Sequence, residues 1–188
     1  PESHTVGGMN LSFDPIPSLH IESEIAGSTV DHNTLSALDD NDNNGGAYNI
    51  GVSFSPTLDT ALPLKFNVSG DRRTQDKRFR SLDRDRSAEE NRRWGLPLVM
   101  GAADETVSEY SGGVQIDSGT LKGTGFDISG GVTEFGESSR STRAGVDSRI
   151  AFDGSGDAVL RLSRIDRDGF ALYPDETIDR VEGGAKFD

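Results

Sequence analysis

The chain has 188 residues, 32% of them hydrophobic and 27% charged, with 23 glycines and a formal charge of −13. That balance excludes a dedicated nucleic-acid binder, whose affinity comes from neutralising phosphates. With no cysteine there is no disulfide framework, thiolate metal site or thiol nucleophile. The low apolar fraction suits a sheet in which every second residue meets water, and no run approaches the roughly 20 apolar residues of a membrane-spanning helix.

In chain order, apolar residues recur with period two, the spacing of strands and not of helices. Met9, Leu11 and Phe13 open the series, followed by Leu19, Ile21 and Ile25. Tyr48, Ile50, Val52 and Phe54 share one face, as do Leu62, Leu64, Phe66 and Val68. Tyr110, Val114 and Ile116 come next, then Phe126, Ile128 and Val132, with Gly130-Gly131 read as a bulge or bend. Ala144, Val146, Ile150 and Phe152 follow, then Ala158, Leu160 and Leu162, and last Val181, Gly183, Ala185 and Phe187. Nine strands are predicted. One short helix is predicted where Ser87-Ala88-Glu89-Glu90 has capping-box spacing ahead of Asn91-Arg92-Arg93-Trp94.

The connections separate into two kinds. Tight turns are expected at Pro15-Ile16-Pro17, Ser118-Gly119 and Gly154-Ser155-Gly156, with a moderate one near Ser55–Thr60. Long loops are expected at about 30–45 and 72–104, with others at Gly136–Thr142 and Arg167–Glu176. Short and long alternate, which in a meander puts the turns at one end and the loops at the other. The reading is one all-β domain over residues 1–188, an antiparallel up-and-down meander. The alternative is a soluble β-sandwich or barrel.

Alternating strands of this length with asymmetric connections resemble bacterial outer-membrane β-barrel proteins, at the level of architecture. The resemblance implies membrane lipid on the apolar faces, location in the cell outer membrane, and a structural, transport or surface-binding role without catalysis. It also implies further barrel strands or envelope proteins as partners, since such barrels normally have an even strand number and aromatic girdles, whereas nine strands, three Tyr and one Trp are counted here. No signal peptide is visible at Pro1–Gly7, which reads as a mature form, a fragment or a cytosolic chain. The competing functions are a secreted or cell-surface binding module for calcium or a saccharide, and a structural subunit of a surface assembly.

Three groups of residues are singled out for chemistry. Asp40, Asp42 and Asn44 precede Gly45 with the spacing that opens a calcium loop, although the twelfth position is Gly51 and not a bidentate Glu. An Asn/Asp-rich turn explains the same residues without an ion. His20, Glu22 and Glu24 share one strand face and are expected to line a lumen, with Asn67, Ser69 and Arg161. From Asp71 to Trp94 nine Arg or Lys stand against six Asp or Glu, an inversion of the overall sign. There Arg72, Arg73, Lys77, Arg78, Arg80, Arg92 and Arg93 read as a patch for an anionic partner, with Trp94 as an interfacial anchor. The interleaved acids favour a self-paired, solvated loop instead. No nucleophile elbow, phosphate-binding glycine loop or paired zinc ligands are present, so no enzyme is expected.

Overall fold

A computed structural model of the protein describes residues 3–31, 44–58, 63–81, 88–96, 102–152, 155–170 and 174–187. The strands are β1 (Ser3–Ile16), β2 (Leu19–Asp31), β3 (Asn44–Phe54), the two-residue β4 (Thr57–Leu58), β5 (Leu64–Gln75), β6 (Glu105–Ile116), β7 (Gly125–Phe135), β8 (Ser139–Phe152), β9 (Gly156–Asp168) and β10 (Glu176–Phe187). The helix α1 (Ala88–Arg93) lies between β5 and β6. All strands belong to one antiparallel sheet in the order β1-β2-β3-β5-β6-β7-β8-β9-β10, with β4 paired to β5. This is the all-β up-and-down meander expected from the period-two pattern, and it is one sheet, not two packed as a sandwich.

Nine long strands match the nine in the sequence, but several run further than their hydrophobic pattern. Arg72 to Gln75 extend β5 against Glu105–Ser108 of β6, where the sequence predicts a loop. Ser139–Thr142 likewise belong to β8 and pair with β7. These stretches are polar on both faces, so they carry no periodic signal, yet their Thr, Ser and Arg residues satisfy a ladder as well as apolar ones do. As a result the β7–β8 connection shrinks to residues 136–138, on the same end of the sheet as the long 76–104 connection. At the other end the expected tight turn at Ser118-Gly119 becomes a connection over 117–124. Turns and loops are therefore not cleanly divided between the two ends. The Gly130-Gly131 pair makes no bulge either. It stays in register with Tyr110 and Glu109 on one side and Ala144 and Arg143 on the other; among the described residues a register shift occurs only between Phe13 and Ile16.

The two faces of the sheet differ sharply. One carries Met9, Leu11, Phe13, Ile25, Tyr48, Ile50, Val52, Phe54, Val68, Tyr110, Phe126, Ile128, Leu160, Leu162 and Val181, all exposed. The other carries Glu22, Glu24, Asn49, Asp71, Arg73, Glu109, Arg143 and their row-mates. On β3 exposure alternates residue by residue, with Tyr48, Ile50, Val52 and Phe54 exposed and Ala47, Asn49, Gly51 and Ser53 sheltered. On β3 the apolar side chains are thus exposed and the polar face is sheltered, the reverse of a sheet folded over an oily core.

The only buried hydrophobic cluster found among the described residues also sits on the polar face. Trp94, Leu96, Val107, Phe135 and Phe170 form it, with the Phe135 and Phe170 rings 6.0 Å apart. α1 ends in a Schellman arrangement that turns Trp94 onto the sheet. Gly95 has φ of 65°, its N–H donates to Arg92 O, and the Leu96 N–H donates to Asn91 O.

Candidate functional site

The polar face is the part of the molecule with chemistry to offer, and pleating explains how it is assembled. Residues in register across neighbouring strands stand side by side on one face. One such row is Ser53, Ser69, Ser111, Ser129, Gly145 and Ser163, a belt of small side chains across six strands. Ser69 Oγ and Ser111 Oγ lie 2.7 Å apart within it. The neighbouring row reads Glu22, Gly51, Asp71, Glu109, Gly131, Arg143 and Ile165. In this row the acids stand on β2, β5 and β6 and the one arginine on β8.

The residues between β5 and β6 are tied to this face at many strands. Near β1 and β2, the Arg80 carbonyl accepts from His4 Nε2 at 3.0 Å and the Arg80 N–H donates to Ser28 Oγ at 2.8 Å. Around α1, Arg73 Nη2 of β5 donates to Glu90 at 2.9 Å and to Glu105 at 3.1 Å. Arg93 pairs with Glu109, which also lies 3.6 Å from Arg143. Ser141 Oγ donates to the Trp94 carbonyl at 2.6 Å. Arg167 Nη1 donates to the Gly95 carbonyl at 2.5 Å, and Arg180 Nη2 donates to the Arg92 carbonyl at 3.4 Å. Trp94 is fully buried, with the Arg143 guanidinium 5.6 Å from its ring centroid.

Comparison of the chain with protein-family models, with curated proteins and with solved structures finds no match. The site is therefore read from its own geometry.

His20, Glu22 and Glu24 do share the polar face, with Asn67, Ser69 and Arg161. His20 Nδ1 sits 2.7 Å from Asp14 and its Nε2 3.9 Å from Glu22; Glu24 lines a recess with Asn49, Arg73 and Phe79. Of the calcium-loop residues, Asp40 and Asp42 lie outside the described residues. Asn44 opens β3, and its Oδ1 accepts from the Thr29 hydroxyl at 2.7 Å. Among the described residues no three His, Asp or Glu side chains come together as a metal site.

The basic segment is dispersed rather than gathered into one patch. Arg72 and Arg73 point to opposite faces of β5, and the Lys77 and Arg78 N–H groups donate to Asp104 and Asp76. Arg80 turns its guanidinium onto the carbonyls of Lys77 and Phe79. Burial of Trp94 corrects its reading as an interfacial anchor: the indole packs on the sheet and is not presented outward. Not foreseen from the sequence is that Arg92 and Arg93 meet Arg143 and Arg180 from strands 50 to 90 residues further on. The available signal was modest, namely that Arg143 and Arg180 occupy the polar half of the β8 and β10 alternation.

Proposed function

We propose that this chain is a component of a membrane β-barrel of the outer-membrane type, with its apolar face against lipid and its polar face lining an aqueous interior. Its role in this reading is structural, transporting or surface-binding, without catalysis. The observation that carries it is the inverted exposure of the sheet. A contiguous band of exposed large hydrophobics spans every long strand, far beyond the few hundred Å² that a soluble monomer leaves uncovered.

The dimensions of the band support the reading. It runs about 20 Å along the strands, from Tyr48 to Phe54 on β3 and from Val146 to Phe152 on β8. That is of the order of the roughly 25 Å apolar band of outer-membrane barrels before strand tilt shortens it. Beyond the band, toward the 76–104 end, the same face turns polar: Thr74, Thr106, Glu134, Arg140 and Asp168 stand in register across β5 to β9. A bilayer-embedded sheet whose upper part stands in water needs this division. No helix among the described residues is long and apolar enough to cross a membrane, which has no bearing on crossing by strands.

The test is folding of the full chain in buffer, in detergent micelles and with phospholipid vesicles, followed by far-ultraviolet circular dichroism. Sheet signal that requires micelles or vesicles, with co-flotation on vesicles, is the expected result. A cooperative β-sheet melt of a monomer in plain buffer would overturn it and favour the soluble binding module.

A further inference from the structure

The polar face holds a recess of about 370 Å³ between α1 and strands β7 to β10. Its floor is small: Ser129, Gly145 and Ser163, three successive members of the serine row. A Cβ on Gly145 would stand 3.0 Å from Ser129 Oγ, so the glycine keeps the floor open. Around it stand five guanidinium groups, those of Arg92, Arg93, Arg143, Arg161 and Arg180, against two lining acids, Glu89 and Asp147.

The internal pairing does not use up these cations. Arg161 is held by Asp147 at 3.0 Å and approaches Glu182 at 4.0 Å. Arg93 and Arg143 share one carboxylate, that of Glu109. Arg143 also keeps a buried Nε that has no hydrogen-bond partner among the described residues. Arg92 and Arg180 form no ion pair with a described carboxylate, and among the described residues the Arg180 guanidinium donates only to the Arg92 carbonyl. Buried donors are normally matched, and like charges held together repel unless an anion sits between them. In a chain of charge −13, such a cluster is not a by-product of composition.

We infer that this recess is a binding site for a phosphate-bearing anion, held by Arg92, Arg143 and Arg180 over the Ser129–Gly145–Ser163 floor. Planar guanidinium forks match the oxygens of a phosphate in pairs, and several forks around one centre favour a group with oxygens on every side over a single carboxylate. The Ser129 and Ser163 hydroxyls add donors from below. The volume exceeds that of one phosphate and suits a diphosphate or a phosphorylated head group. The site does not depend on the membrane reading, since it lies on the opposite face of the sheet from the apolar band.

Isothermal titration calorimetry of the folded full chain with inorganic pyrophosphate tests the inference, in whichever medium supports folding. The expected result is saturable binding at about 0.1 M salt that weakens as salt rises. The double variant Arg92→Gln/Arg180→Gln is expected to bind at least about tenfold more weakly with an unchanged circular dichroism spectrum; neither side chain has a carboxylate to lose. Arg149→Gln, on the same face but paired with Asp157 outside the recess, is expected to bind as the parent does. A second arm uses micelles doped with phosphatidic acid: retention of doped micelles alone assigns the phosphate to a lipid head group, and retention of pyrophosphate alone to a free anion. Binding of neither probe, or binding equally lost in Arg149→Gln, overturns the site. Pyrophosphate binding by a chain that folds as a monomer in buffer would keep the site and sink the barrel.

Discussion

Trp94 and Gly131 illustrate how closely single residues are matched on the polar face. A Cβ on Gly131 would stand 2.6 Å from the Ser108 carbonyl and 2.7 Å from Trp94 Cη2, so the position is glycine because the β6 backbone and the indole both close over it. Gly131→Val should therefore expel the indole, at a cost of about 1–3 kcal/mol from overpacking. Trp94 is the sole tryptophan, so the check is direct: its emission should shift red in the variant while the β-sheet dichroism persists. On the other face, Arg164 donates to both oxygens of Asp179 at 2.8 and 2.9 Å. The pair stands beyond Leu162 and Val181, outside the apolar stretch that would meet lipid. The hydrogen bond from Arg164 holds the Asp179 carboxyl below its ordinary value. A lowered folded-state value means the pair stabilises above the unfolded carboxyl's range and is lost as pH falls through the folded one. Arg164→Gln should return the Asp179 titration to the ordinary carboxylate range, as followed by carboxyl carbon chemical shifts.

Among the elements, α1 is too short to hold itself together, since a six-residue helix lies well below the length at which isolated helices persist. It depends on its C-terminal glycine and on the arginines that take its final carbonyls. Gly95→Ala places a Cβ in the left-handed region and 3.2 Å from Ile165, costing about 1–2 kcal/mol for the backbone alone. Faster amide exchange over 88–96 with unchanged protection of the strands is the expected signature. The sequence made the nine strands legible through alternation, and α1 through its capping-box spacing. It concealed the polar upper parts of β5 and β8, because Arg72–Gln75 and Ser139–Thr142 alternate one polar residue with another. The candidate site was half legible: the polar side of β2 followed from period two, whereas the meeting of Arg92 with Arg143 and Arg180 depends on strand order and on where α1 docks, and neither leaves a local pattern. The Gly-Gly pair was misread for a related reason, since a glycine kept for a distant indole looks, in sequence, like one kept for a bend.

For the molecule as a whole, the band of exposed side chains makes the sharpest demand. Ile50→Arg and Phe66→Arg place a charge within it, and the expected loss is about 2–4 kcal/mol at a bilayer midplane. Both variants should fail to assemble into vesicles, whereas Asn49→Arg, one residue away on the sheltered face, should not lose lipid binding through this term. Normal vesicle assembly of both band variants would remove lipid from the account of this face. The order of the sheet carries one more consequence. Each long strand reverses its predecessor, and there are nine on the path from β1 to β10, so the two margins of the ribbon have the same polarity. A seam joining them directly would be a parallel one, with slanted hydrogen bonds. To close with antiparallel seams throughout, the gap must receive an odd number of additional strands, and a single one running against both margins is the smallest wedge that brings the count to ten.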